Sequence, residues 1–75
     1  LSYQVKIKVD GIKCGGCFSR INREVSKVDL EFYDIDHANH IITLYYDDKK
    51  DTYQEVMCNI ENAGYKPTFL FITEE

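Results

Sequence analysis

The sequence predicts an α+β fold in the order β-α-β-β-α-β, a four-stranded antiparallel sheet with two helices on one face. Three observations carry that expectation. Several short stretches alternate apolar and polar residues at the period of a strand, and two others repeat apolar residues at helical spacing. The chain has 75 residues, and neither linker, repeat nor low-complexity segment interrupts it, so residues 1–75 are expected to form a single domain.

Residues 3–9 read Tyr-Gln-Val-Lys-Ile-Lys-Val, with Tyr3, Val5, Ile7 and Val9 on one side and Gln4, Lys6 and Lys8 on the other. This is a half-buried strand, ended by Asp10-Gly11. From Gly15 to Val28 the apolar residues Cys17, Ile21, Val25 and Val28 form one stripe of an amphipathic helix. Glu31–Asp36 alternates again, with Tyr33 and Ile35 together. After the polar turn His37-Ala38-Asn39-His40, Ile41–Tyr46 is a third strand with Ile42, Leu44 and Tyr46 on one face, and the short separation fits a hairpin. Asp47–Asp51 is a charged connector. Thr52 and Glu55 have the spacing of a capping box, and Tyr53, Val56, Met57, Ile60 and Ala63 give the second helix its buried stripe. Gly64 is a natural stop, and Pro67 can open a last strand over Thr68–Ile72. The order is the ferredoxin-like one. Strand three lies between strands one and two, so the loop at Cys14, the hairpin at His37–His40 and the turn at Gly64–Lys66 share one end of the molecule.

Composition narrows the function. The formal charge of −4 and pI near 5.0 argue against nucleic acid, whose phosphates reward a basic face. The longest apolar runs, three or four residues, are far too short to cross a bilayer, so no membrane insertion is expected. No apolar stretch of a signal peptide stands at the N-terminus. A chain this short buries on the order of 60% of its unfolded surface, which leaves little room for a catalytic cleft. The sequence offers neither a general acid–base pair nor a third group orienting a nucleophile, so no enzyme is expected.

The three cysteines are an odd count for a disulfide framework and too few for a four-thiolate zinc or iron–sulfur site. Two of them stand as Cys14-Gly15-Gly16-Cys17 at a loop-to-helix junction, where both sulfurs can turn toward one point. Cys17 falls in the first helical turn, where free N–H groups and the positive dipole end favour a thiolate. Lys13 adds a cationic neighbour, and the glycines permit a tight bend. Two thiolates suit a soft ion of low coordination number, Cu(I) above all and Hg(II) behind it. Zn(II) would need two more ligands. The same spacing serves dithiol oxidoreductases, but a thioredoxin-type fold needs a further helix and a proline before an internal strand. Here the one proline, Pro67, precedes the last strand.

Gly11-Ile12-Lys13-Cys14-Gly15-Gly16-Cys17, with Ile21, Val25, Tyr46-Asp47 and Ala63-Gly64-Tyr65, resembles the heavy-metal-associated domain family over essentially the whole chain. That family includes copper chaperones, metal-binding domains of P-type copper-transporting ATPases and mercury-binding proteins. The resemblance implies that Cys14 and Cys17 hold Cu(I) and pass it by ligand exchange to a partner, a copper-transporting P-type ATPase or a copper chaperone with a similar cysteine pair. It implies a reducing, cytoplasmic setting and a monomer, with dimerisation on metal binding as an alternative. Ile12 stands where the family usually has Met and can serve as the same apolar anchor. Lys13 replaces the Asp of zinc-preferring members, which favours Cu(I) over Zn(II) or Cd(II). Tyr65 matches an aromatic of the facing loop, expected to cover the site or to close the core, and Lys66 is placed to balance the charge of a dithiolate complex. A mercury- or cadmium-resistance domain and a dithiol redox module are the alternatives.

His37 and His40 lie at the same end as the cysteines. Their ordinary reading is strand-end histidines, their sharper one an auxiliary metal site. Cys58 falls off the apolar stripe of helix two and is expected to be partly exposed, whereas Met57 fills the core. By parity Phe32, Ile41, Tyr45, Leu70 and Ile72 are expected on the open face of the sheet, where a cluster of apolar residues can mark a contact surface.

Overall fold

In the computed structural model, which describes residues 2–13 and 15–75, the elements follow the predicted order. They are β1 (Tyr3–Asp10), α1 (Gly15–Ser26), β2 (Phe32–Asp36), β3 (Ile41–Tyr46), α2 (Thr52–Asn62) and β4 (Lys66–Glu74). The sheet runs β2-β3-β1-β4 and each neighbouring pair is antiparallel. Its two central strands carry the cleanest alternation. Val5 stands opposite Leu44 and Ile7 opposite Ile42, so one face of the sheet is continuously apolar. Ile21 and Val25 of α1 and Val56 and Ile60 of α2 close over that face, and all eight of these side chains are buried. Each contributes on the order of 1.5–3 kcal/mol, more than any surface contact.

α1 stops at Ser26, short of the expected Val28. The amides of Lys27 and Val28 bond the carbonyls of Glu24 and Val25, three residues back, so the chain tightens into turns while Val28 still reaches the core. The expected capping box on Thr52 and Glu55 does not form. Thr52 is already helical, Asp51 is the cap residue, and its side chain makes no capping hydrogen bond. A tertiary contact takes over: the Tyr46 hydroxyl accepts the amide of Tyr53 at 3.3 Å and donates to the carbonyl of Lys50 at 2.7 Å.

At its other end α2 closes as expected. The Gly64 amide bonds the carbonyl of Glu61 and the Tyr65 amide that of Ile60, the paired bonds of a Schellman motif. Gly64 has φ +101, a left-handed backbone that an L side chain adopts only at a cost. Gly64→Ala is therefore expected to cost about 1 kcal/mol, read as a shift of the denaturation midpoint with unchanged slope.

β4 is longer than expected and begins before Pro67. A bulge interrupts it: Ile7 stands opposite Phe69 and Lys6 opposite Phe71, which leaves Leu70 as the extra residue. This shift overturns one parity assignment, because Ile72 pairs with Val5 and packs on the core instead of lying on the open face. Phe71 joins the open face in its place, opposite Lys6. Thr43 is also on that face yet buried, its hydroxyl accepting a 2.9 Å hydrogen bond from the Lys6 ammonium. Phe32 is 61% exposed, its ring 5.6 Å from that of Tyr45.

Candidate metal centre

β1 delivers the chain to Gly11, whose φ of +94 turns it toward α1. Ile12 is half-buried against the core and Lys13 is exposed, as their apolar and charged side chains require. Cys14 lies outside the described residues. Cys17, the third residue of α1, is half-buried and packs against the core cluster. No acidic residue stands in the first turn of α1, where the positive end of a helix dipole favours an anionic group.

The three loops do meet at one end. A Cβ built on Gly11 would lie 3.9 Å from the Tyr65 Cα and 4.0 Å from its ring, which sets the Gly11 loop directly beside the turn after α2. The Val9 amide donates to the carbonyl of His40 at 2.8 Å, tying the hairpin to the end of β1. Phe18, the neighbour of Cys17, receives both imidazoles edge-on, with ring centroids 4.4 Å away for His37 and 5.6 Å for His40. The hairpin thus reaches α1, and it does so by packing. Asp36 pins the turn: its carboxylate accepts from the amides of Ala38 and Asn39 and from the Asn39 side chain. Those bonds, the Asn39 side chain first, hold its pKa below the usual value. Beside the hairpin, Phe18, Ser19, Asn22, Tyr33, Asp34, Ile35 and His37 line an open groove of about 400 Å³. Among the described residues no group of three or more His, Cys, Asp or Glu could hold a metal ion.

No family model and no curated protein matches the chain, but solved structures do. The N-terminal domain of PacS from Synechocystis PCC6803 superposes with a TM-score of 0.77 at 25% identity, over 91% of this chain and 97% of that one. The CopZ metallochaperone superposes at 0.74 and 27% identity, over 87% and 98%. The N-terminal domain of a potential copper-translocating P-type ATPase from Bacillus subtilis, solved in the Cu(I)-loaded state, reaches 0.82 over 100% and 95%, at 17% identity; this last likeness is one of fold alone. The fold is that of the heavy-metal-associated domains.

On this heavy-metal-associated fold, Ile12, Cys17 and Tyr65 all belong to or pack on the core cluster. Tyr65 is 9% exposed and belongs to the core cluster, the position of a residue that closes the core at a helix end, with its ring beside Gly11. Lys66 is exposed and pairs with Asp10 across the strand ends. Cys58 is exposed on α2, and its sulfur accepts a 3.6 Å contact from the Asn62 amide. Met57 packs on the core. The residue that sequence reasoning passed over is Phe18. It falls off the helical stripe, and only the tertiary arrangement reveals that it seats the hairpin. No helix among the described residues is long and apolar enough to cross a membrane.

Proposed function

We propose that the chain binds a soft metal ion, Cu(I), through Cys14 and Cys17 and passes it to a partner by thiolate exchange. The carrying observation is the place of Cys17. It stands in a first helical turn without acidic residues, at the end where three loops meet, on a fold shared with a metallochaperone and a Cu(I)-loaded ATPase domain. Two sulfurs satisfy Cu(I), whereas Zn(II) prefers four ligands. Exposed Lys13 disfavours a divalent ion further.

Transfer follows from an open, two-ligand site. A thiolate of the partner adds to the ion while both resident sulfurs still hold it. One resident sulfur then leaves and takes up a proton or another cation, and a second exchange completes the passage. Each step exchanges one metal–sulfur bond for another, so the bare ion is never released and no other chemistry is required of the chain. The fitting partner is a copper-transporting P-type ATPase or a copper chaperone with a similar cysteine pair, in a reducing compartment such as the cytoplasm.

Titration of the reduced protein with Cu(I) against a competing chelator tests this reading. One equivalent is expected to bind tightly, with Zn(II) and Cd(II) far weaker. Preference for Hg(II) over Cu(I) in the same competition would favour a mercury-resistance domain. Catalytic cycling of a disulfide substrate by metal-free protein would replace both with a redox module.

A further inference from the structure

The outer edge of β4 is built to meet itself. We propose that two copies of the chain pair antiparallel through β4, independently of any metal, into one continuous eight-stranded sheet. β4 is an edge strand, and between Lys66 and Glu74 its residues Pro-Thr-Phe-Leu-Phe-Ile-Thr carry no charge. An edge of that kind is a template for strand pairing.

Its free backbone groups can be read from the ladder. The Val9 amide bonds His40 on the β3 side, so the polar groups of Val9 face away from β4. Those of Pro67, opposite Val9, then face outward. At the other end Ser2 and Glu75 exchange both hydrogen bonds, so Glu75 faces inward and Glu74 outward. Counting inward from both ends, the outward residues are Pro67, Phe69, Ile72 and Glu74, opposite Val9, Ile7, Val5 and Tyr3. The bulge at Leu70 absorbs the odd residue, and the outward groups stay evenly spaced at every second position of β1.

That set is symmetric about the point between Leu70 and Phe71. A two-fold axis there places Phe69 opposite the second copy's Ile72 as a hydrogen-bonded pair, and Pro67 opposite its Glu74. Pro67 withdraws one donor on each side but keeps its carbonyl. Lys66 then faces the second copy's Glu75, so opposite charges meet at both ends of the pairing. At the centre Leu70, 40% exposed, stands opposite the second copy's Phe71, 46% exposed. The axis sets the two Cys17 ends at opposite ends of the dimer and leaves both open.

Sedimentation analysis of the metal-free, reduced 75-residue chain over a concentration series tests the pairing, with amide hydrogen exchange as the residue-level readout. An edge this short is small against the roughly 1,200 Å² of a stable interface, so a weak, concentration-dependent dimer is expected. Protection of the Phe69, Ile72 and Glu74 amides should rise with it. Phe71→Lys is expected to weaken association by roughly tenfold or more. Lys66→Glu and Glu75→Lys should each weaken it, and the double exchange should restore it. A chain that stays monomeric throughout, dimerises only with metal, gains protection on β2 instead, or ignores the charge exchange overturns the proposal.

Discussion

Cys17→Ser is expected to lower Cu(I) affinity by two to three orders of magnitude while the fold persists, and Cys14→Ser should do the same. The size follows from ligand arithmetic. A structural four-ligand zinc site is worth about 10–16 kcal/mol, or roughly 2.5–4 kcal/mol per ligand, and each 1.4 kcal/mol is about tenfold in affinity. A serine hydroxyl is a hard, protonated donor and replaces little of this for a soft ion. Serine is close to cysteine in volume, so half-buried Cys17 should be replaced without a cavity, and circular dichroism should read as in the parent. Cys58→Ser, on the exposed part of α2, is the matched control and should bind as the parent does. Affinity that survives both of these cysteine substitutions would sink the metal reading.

Tyr46→Phe is expected to destabilise the fold by about 1–3 kcal/mol, although it removes a single oxygen. The amide of Tyr53 is one of those a helix start leaves without an intrahelical partner. Asp51 does not supply one; the Tyr46 hydroxyl does, and it holds the Lys50 carbonyl as well. The substitution leaves both groups to find water beside a ring that is 1% exposed. For a domain of this size the melting temperature should fall by roughly 4–8 °C per kcal/mol.

The same burial pushes the phenol above its ordinary pKa of 10.0, which sets the sign of its alkaline dependence. Folding favours the neutral phenol, so this contribution is complete below pH 10 and declines above it, as the unfolded chain ionises first. Stability of the parent should therefore fall more steeply at high pH than that of Tyr46→Phe. Parallel alkaline limbs for the two proteins would mean that Tyr46 is not the group responsible.

The Cys-Gly-Gly-Cys pair was legible in sequence because its chemistry is local. The bend, the first helical turn and the soft ligand atoms all lie within four residues of each other. The same locality made β3 readable to the residue, since alternation over Ile41–Tyr46 needs no partner to be recognised. The capping box was misplaced for the opposite reason. Thr52 and Glu55 have the right spacing, but whether a hydroxyl caps depends on which residue stands outside the helix. Tyr46, contributed by β3, had already taken the bond.

Ile72 was set on the wrong face because parity counted along a strand is valid only until a bulge. Nothing in Thr-Phe-Leu-Phe-Ile announces that Leu70 will be the residue left over; the pairing with β1 decides it. The histidines followed the same rule. Their nearness to the cysteines was a matter of topology, but their seating on Phe18 depended on how α1 and the hairpin pack.

The α+β order and the apolar face of the sheet were thus determined by the sequence itself, through periods and spacings that act over one or two turns of chain. Only the tertiary structure decided which hydroxyl starts α2, which face Ile72 joins and what holds the hairpin against α1. Those outcomes depend on groups far apart in the chain competing for the same donors and the same space, and a local pattern carries no record of that competition.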